Sequence, residues 1–124
     1  MKKVIQTDKA PKAIGCYSQA IQSGNTVYLS GQIPLDPATM QIVEGVEAQI
    51  SRVFDNLNTV AEASGADLNS IVKLTVYLTD INVAPLVNEA MTKYFKEPYP
   101  ARTTFQVVAL PKGALVEIDA ILVM

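Results

Sequence analysis

A long stripe of apolar residues at helical spacing constrains the fold of this chain more than any other feature. Between residues 46 and 61, apolar side chains recur every third or fourth position, which is the spacing of one face of an α-helix. Gly65 follows this stripe, and a glycine at that point is typical of a left-handed cap that ends a helix. The sequence therefore predicts one amphipathic helix that ends near Gly65.

A strand and a second helix are predicted after this helix. Residues 72–78 alternate between aliphatic and other side chains, which is the period of a strand with one buried face. A second helical stripe covers residues 86–95, with Asn82 predicted as its cap and Pro85 tolerated in its first turn.

Turn residues mark the remaining strands. Residues 20–22 and 27–29 are predicted to pair as a hairpin around Ser23-Gly24-Asn25, and two further strands are predicted at 102–109 and 115–123. The element order is ββ, β α β α β β, with two helices that can cover one face of a mixed sheet. This order predicts a two-layer α+β fold in one domain over residues 1–124.

The last predicted strand is apolar on both faces at its end. One face carries Val116, Ile118, Ala120 and Leu122, and the other face ends with Ile121 and Val123. Because two helices can cover only one face of a sheet this wide, the second face is expected to pack against identical subunits. The sequence therefore predicts a closed homo-oligomer.

Composition excludes several kinds of chemistry. The chain has no histidine and one cysteine, which excludes imidazole-dependent triads, histidine metal sites and zinc sites built from several cysteines. Cys16 has no imidazole to activate it and is predicted to be a small buried hydrophobe rather than a nucleophile. A lone cysteine forms no intrachain disulfide and fits the reducing cytoplasm, which is the predicted location.

Charge and hydropathy narrow the possible partners. No stretch approaches the roughly 20 apolar residues of a membrane span, so no membrane partner is expected. The formal net charge is −2, with no stripe of Arg and Lys, which disfavours binding to nucleic acid.

Arg102 is one of only two arginines and follows Pro100-Ala101 at the start of a predicted strand. Its guanidinium could clamp a carboxylate through two parallel hydrogen bonds. The alternative is a surface ion pair with Glu97 or Asp119, and composition alone favours this ion pair.

Glu117 lies on the strand face that continues into Ile121 and Val123. Apolar surroundings there would raise the pKa of its carboxyl and suit it to proton transfer or to holding a water. A solvated carboxylate, or one paired with a lysine, is an equally good interpretation. If strands 102–109 and 115–123 formed a straight hairpin, Arg102 would lie about 20 Å from Glu117. This distance leaves three alternatives. The two residues are unrelated, or they form a site between subunits, or these two strands are not paired with each other.

Tyr17 and the Ser30-Gly31 pair are further candidates. A glycine at the end of a strand lets backbone approach a ligand closely. Ordinary structural roles are more common for each: Tyr17 as a packed aromatic side chain, and Ser30-Gly31 as a bulge or strand exit.

These motifs together resemble the RidA/YjgF family of reactive-intermediate deaminases over the whole chain. The first block comprises residues 13–20, 27–34 and the helix over 49–57. The most specific blocks are Pro100-Ala101-Arg102-Thr103-Thr104, Leu110-Pro111-Lys112-Gly113-Ala114 and Val116-Glu117-Ile118-Asp119-Ala120.

The resemblance implies a chorismate-mutase-like subunit in a homotrimeric barrel with helices outside and ligand clefts between subunits. It also implies cofactor-independent hydrolysis of 2-imino acids and enamines, such as 2-aminoacrylate, to 2-oxo acids and ammonia. A non-catalytic trimer that binds small 2-oxo or imino carboxylates is the alternative, and an RNA-cleaving activity is a third hypothesis. The charge balance and the absence of histidine argue against RNA cleavage.

The family roles transfer to matching positions of this chain. Arg102 would hold the substrate carboxylate, and Glu117 would position the attacking water and shuttle its proton. The residues implied to line the pocket are Tyr17, Ser30, Gly31, Asn88 and Thr104. The deaminase subgroup often has cysteine in place of Thr104 and proline in place of Cys16. Substrate preference is the property that these two differences are most expected to change. No metal site is expected.

Overall fold

Six strands form one mixed sheet with two helices on one face in the computed structural model, which describes residues 1–124. The predicted α+β class and the two-helix cover are confirmed. The strands are β1 Lys2–Ile5, β2 Ala20–Ser23, β3 Thr26–Gln32, β4 Ile71–Leu78, β5 Ala101–Gln106 and β6 Val116–Val123, and the helices are α1 Val46–Ala63 and α2 Ala84–Tyr94.

The strands lie in the order β1-β2-β3-β6-β4-β5. All neighbours are antiparallel except β4 and β5, which are parallel and are joined through α2. The predicted hairpin of β2 and β3 is present, with Ser23 opposite Thr26. The last two strands are not paired, because β4 lies between β5 and β6.

The apolar stripe of α1 forms the centre of the core. Phe54 is fully buried, and its ring lies 5.2 Å from that of Tyr94 and 5.7 Å from that of Phe95, which ties α1 to α2. Gly65 adopts a φ of +94°, as the predicted helix end requires. The strand residues under the helices are also fully or nearly fully buried, and they include Leu74, Val76, Val116, Ile118 and Leu122.

Four details differ from the sequence predictions. Asn82 does not cap α2: it lies in a short helix, Ile81–Val83, where its backbone N–H donates to the Asp80 carboxylate over 3.0 Å. Pro85 does lie in the first turn of α2. The strand predicted at 102–109 spans Ala101–Gln106, and the one predicted at 115–123 begins at Val116. Lys2–Ile5 forms a strand that no pattern had located.

The second face of the sheet, here called the open sheet face, has no helix over it. Tyr28, Phe105 and Val123 on this face are 51%, 46% and 45% exposed. The expectation that β6 is apolar on both sides is confirmed, because Ile121 lies on this face opposite Tyr28. Neither helix is long and apolar enough to cross a membrane.

Candidate active site

Arg102 lies on β5, the edge strand, with its side chain on the helix-covered face. Its register partner is the buried Leu74 of β4, and parallel partners point to the same side of a sheet. The guanidinium Nη1 donates to the Met91 thioether Sδ over 3.1 Å. The ion pair that composition favoured, with Glu97 or Asp119, is therefore wrong, and the half-buried guanidinium contacts a weak acceptor instead.

A cleft of about 300 Å³ surrounds this guanidinium. Its lining comes from α2, from the segment before β5 and from β5 itself. We call these residues the arginine cluster: Asn88, Met91, Thr92, Tyr99, Pro100 and Arg102. Asn88, one of the residues that the resemblance assigned to the pocket, lines this cleft together with Arg102. A guanidinium presents several donors in a planar fork, so the cleft is suited to bind a small carboxylate.

Thr104 shares the helix-covered side of β5 with Arg102 but does not line the cleft. It lies opposite Val76, two residues beyond Arg102. Its hydroxyl Oγ1 is buried and has no hydrogen-bond partner. The expected contact of Thr104 with a ligand stays a prediction.

Glu117 lies on β6 and points to the open sheet face. It borders a second cleft, of about 270 Å³, whose lining we call the glutamate cluster: Tyr17, Ser30, Gly31, Pro111 and Glu117. The register of β3 and β6 shifts between Leu29 and Gln32, so Ser30 and Gly31 form the predicted irregularity. The structure thus brings four of the seven predicted site residues together here.

Gly31 leaves room for the Glu117 carboxylate. A Cβ at Gly31 would lie 2.5 Å from Glu117 Oε2 and 3.0 Å from its Cδ. Real side-chain atoms do not approach so closely, so any larger residue would displace the carboxylate. Glycine is needed here for space, because the backbone of Gly31 is not in the left-handed region.

The loop that carries Tyr17 is fixed by backbone and side-chain hydrogen bonds. Gln19 is buried and donates from Nε2 to the Pro11 carbonyl over 2.8 Å, while its Oε1 accepts from Thr7 N–H over 2.7 Å. Ser30 Oγ donates to the Ser18 carbonyl over 2.6 Å, which joins the loop to β3. Cys16, in the same loop, is exposed, so the prediction of a buried cysteine is wrong.

Burial raises the pKa of the Glu117 carboxyl, and the negative charge of Asp119 raises it further. Asp119 accepts a hydrogen bond from the Tyr77 hydroxyl over 2.8 Å, and this bond is the main reason that the pKa of Tyr77 is also raised. A carboxyl with a raised pKa exchanges protons closer to neutral pH than an ordinary glutamate.

The two clusters do not meet within one chain. Tyr77 of β4 pairs with Glu117 of β6 on one side and with Phe105 of β5 on the other. Arg102 precedes Phe105 by three residues on β5. It therefore lies two strands across the sheet and three residues along it from Glu117. At ordinary strand spacings their Cα atoms are about 14 Å apart, and the two side chains point to opposite faces of the sheet. One chain therefore presents the arginine cluster and the glutamate cluster as two separate clefts.

Several residues near the two clusters were not among the candidates from the sequence. Met91 was assigned to the apolar stripe of its helix, which is correct, but it also contacts Arg102. Tyr99 stands between Pro98 and Pro100, three residues before Arg102, and that proximity was a usable signal. Tyr77 and Asp119 meet only through strand pairing. No three acidic or cysteine side chains come together in a way that would hold a metal ion.

Comparisons with known proteins agree with the resemblance seen in the sequence. Residues 7–124 match the family described as endoribonuclease L-PSP. The protein DfrA of Myxococcus xanthus is 54% identical over 98% of this chain and 95% of its own length. The mouse protein named 2-iminobutanoate/2-iminopropanoate deaminase is 48% identical over 99% of this chain and 92% of its own length. The crystal structure of RidA from an Antarctic Psychrobacter is 52% identical, covers 98% of this chain and 99% of its own, and superposes with a TM-score of 0.97.

Proposed function

Since the chain belongs to the RidA/YjgF family, we propose that it is a cofactor-independent deaminase that hydrolyses 2-imino acids to 2-oxo acids and ammonia. Its substrates would include 2-iminobutanoate and 2-iminopropanoate, the compounds in the names of the mouse relative and others like it. The enamine tautomers of these two imino acids would also be substrates. The protein would work as a single RidA-like domain in the cytoplasm.

The observation that carries this proposal is the half-buried Arg102 guanidinium in a cleft without a carboxylate partner. Its contact with Met91 Sδ leaves the other donors of the fork available to a ligand. A 2-imino acid and its 2-oxo product share a carboxylate beside the reacting carbon. Two parallel hydrogen bonds from Arg102 would fix that carboxylate and thereby the orientation of the C=N bond.

Glu117 supplies the proton transfer that the reaction needs. It would accept a proton from a water as the oxygen adds to the imine carbon, and it would give a proton to the nitrogen. Glu117 would then move the hydroxyl proton of this adduct to the nitrogen, so that the C–N bond breaks, ammonia leaves with the bonding electron pair and the C=O bond of the 2-oxo acid forms. The raised pKa of Glu117 supports this role, because a group that titrates closer to neutral pH can both accept and return a proton.

The complete site would form between copies of the chain. Arg102 and Glu117 are too far apart, and on opposite sides of the sheet, to hold one small substrate within a chain. In a homotrimer with the open sheet faces inward, the arginine cluster of one copy would meet the glutamate cluster of its neighbour. Exposed apolar side chains on the open sheet face, such as Tyr28 and Phe105, support such burial.

Two alternative functions have less support. A regulatory trimer that only binds 2-oxo or imino acids would not need the glutamate cluster, and the names of the relatives favour catalysis. The family description mentions an endoribonuclease, but this chain has no histidine and a net charge of −2. Both properties are poorly suited to cleaving a ribose–phosphate backbone.

The test couples a threonine dehydratase to this protein, with semicarbazide competing for the imine, and measures the release of 2-oxobutanoate. We expect the wild type to accelerate release and Arg102→Ala to abolish the acceleration. Arg52→Ala is the matched control, because Arg52 is the other arginine, bonds to Asn56 on α1 and lines neither cluster. No acceleration by the wild type, with 2-oxobutanoate still bound in calorimetry, would favour the regulatory trimer.

Glu117→Gln separates chemistry from binding. It should abolish the acceleration and leave the affinity for 2-oxobutanoate within a few-fold, because Arg102 holds the carboxylate. Equal loss of both properties, with an unchanged circular dichroism spectrum, would contradict the role of Glu117 in proton transfer.

A further inference from the structure

A hydrogen-bonded pair, Tyr77 and Asp119, lies beside Glu117 on the open sheet face. Asp119 follows Glu117 by two residues on β6, so their side chains emerge from the same face about 7 Å apart. Tyr77 lies directly opposite Glu117 in the register of β4 and β6. Its hydroxyl reaches diagonally across the strand pair and donates to Asp119 Oδ2 over 2.8 Å.

The Tyr77 ring is itself held in place. It packs against Phe105 of β5 with a ring separation of 5.3 Å. The hydrogen bond from Tyr77 therefore fixes the position of the Asp119 carboxylate relative to Glu117.

No cation near Glu117 offsets this charge within the chain. Lys73 lies opposite Ile121, four residues beyond Glu117, and its ammonium donates to Thr103 Oγ1 over 2.7 Å. Lys112, in the turn before β6, is exposed. The titratable groups that face Glu117 from the surrounding elements are Tyr77 and Lys73 of β4, Asp119 of β6, Tyr28 of β3, Tyr17 of the loop before β2 and Lys112. In the proposed assembly the Arg102 guanidinium of a neighbouring copy would face Glu117 as well, and its charge is the same in every variant used below.

We propose that Asp119, fixed by the Tyr77 hydroxyl, is a positioning residue that holds a negative charge beside Glu117 and so contributes, together with burial, to the pH range over which Glu117 can exchange its proton. The role of Asp119 in catalysis rests on the proposed function. The effect of the Asp119 charge on Glu117 does not, because that charge acts on Glu117 with or without a substrate. A negative neighbour opposes ionisation of Glu117 and moves its titration toward neutral pH.

The direct test is a titration of the Glu117 side-chain carboxyl by ¹³C NMR in the intact protein labelled at glutamate, with Glu117→Gln assigning the resonance. Asp119→Asn removes the charge and keeps an acceptor for Tyr77. It should lower the Glu117 midpoint by about 0.5–1 pH unit, the size expected for one partly solvated charge at this distance. Tyr77→Phe keeps the ring and should produce a smaller shift in the same direction.

Glu62→Gln is the matched control, because it removes one negative charge from the exposed surface of α1. Its effect on the Glu117 midpoint should stay below about 0.2 pH unit, since a distant exposed charge is screened by salt. If Asp119→Asn shifts the midpoint no more than Glu62→Gln does, the proposal is wrong.

The pH profile of kcat/KM then links the pair to catalysis. The acid limb of the profile should move to lower pH in Asp119→Asn by the same amount as the NMR midpoint. An unchanged acid limb, with the NMR midpoint shifted, would contradict Glu117 as the base while leaving the Asp119 effect intact. An inactive wild type would contradict the proposed function alone, because the NMR titration is independent of activity.

Discussion

Replacement of Gly31 by alanine tests how closely the site depends on the position of one carboxylate. The added Cβ would lie 2.5 Å from Glu117 Oε2 and 3.1 Å from its Cγ. To restore ordinary contact distances, the carboxylate must move by about 1 Å, since carbon contacts are most favourable near 3.5–4.0 Å. A displacement of this size at a reacting group costs about 100-fold in rate. The expected loss in transition-state stabilisation is therefore about 2.7 kcal/mol.

The fold should tolerate this change. Gly31 does not have a positive φ, so alanine can adopt its backbone conformation, and the obstructing atoms belong to the end of a flexible side chain. We expect the free energy of unfolding to change by no more than about 1 kcal/mol. The measurements are kcat/KM in the dehydratase-coupled assay and a urea denaturation curve.

Gly24→Ala is the matched control for Gly31→Ala. Gly24 has a φ of +60° in the turn between β2 and β3, and a Cβ there would meet no atom within 4 Å. This variant should lose about 1–2 kcal/mol of stability, because the left-handed conformation strains an L side chain, and should retain wild-type kcat/KM. Full activity in Gly31→Ala would refute the reasoning, since it would show that Glu117 need not lie where the structure places it.

Three further changes follow from individual contacts. Burial raises the pKa of Glu117 in the folded protein above its pKa in the unfolded chain. The wild type therefore loses stability as the pH rises from the unfolded-state pKa through the folded-state pKa. The Tm of Glu117→Gln relative to wild type should therefore increase from pH 4 to pH 8, and a constant difference would contradict this. Asn56→Ala should lower the free energy of unfolding by about 2–4 kcal/mol in urea denaturation, because fully buried Asn56 donates to the Leu35 carbonyl over 2.9 Å. A loss under about 1 kcal/mol would be inconsistent with that hydrogen bond. Thr104→Val removes a buried hydroxyl without a partner and should leave the ligand-free Tm unchanged or raise it, whereas a fall would indicate a bond that the structure lacks.

Local patterns in the sequence were sufficient to predict most of the fold. The apolar stripe of α1 and the period of β4 each depend on neighbours within one element, and both appear as predicted. The cap of α2 was wrong because Asn82 and Asp80 are both good cap residues, and the chain uses Asp80 for a short helix that precedes α2. The strand Lys2–Ile5 is too short and too exposed to leave a periodic signal.

The candidate site residues were chosen from the sequence, but their arrangement in space could not be predicted from it. Arg102 and Glu117 belong to recognisable motifs, whereas the distance between them depends on which strands pair. β4 lies between β5 and β6, and this strand order depends on tertiary packing that no single strand sequence specifies. The contact of Arg102 with Met91 and the hydrogen bond between Tyr77 and Asp119 depend on the same strand order.

The central claim is that one catalytic site needs Arg102 from one copy of the chain and Glu117 from another. Subunit mixing tests it most directly: Arg102→Ala and Glu117→Gln, each inactive alone, are unfolded together in equal amounts, refolded and assayed for imine hydrolysis. Random assembly would place an intact Arg102 opposite an intact Glu117 at about a quarter of the interfaces, so about a quarter of wild-type activity should return. Activity no higher than that of the two variants refolded separately, in oligomers shown by mass spectrometry to be mixed, would contradict a site shared between subunits.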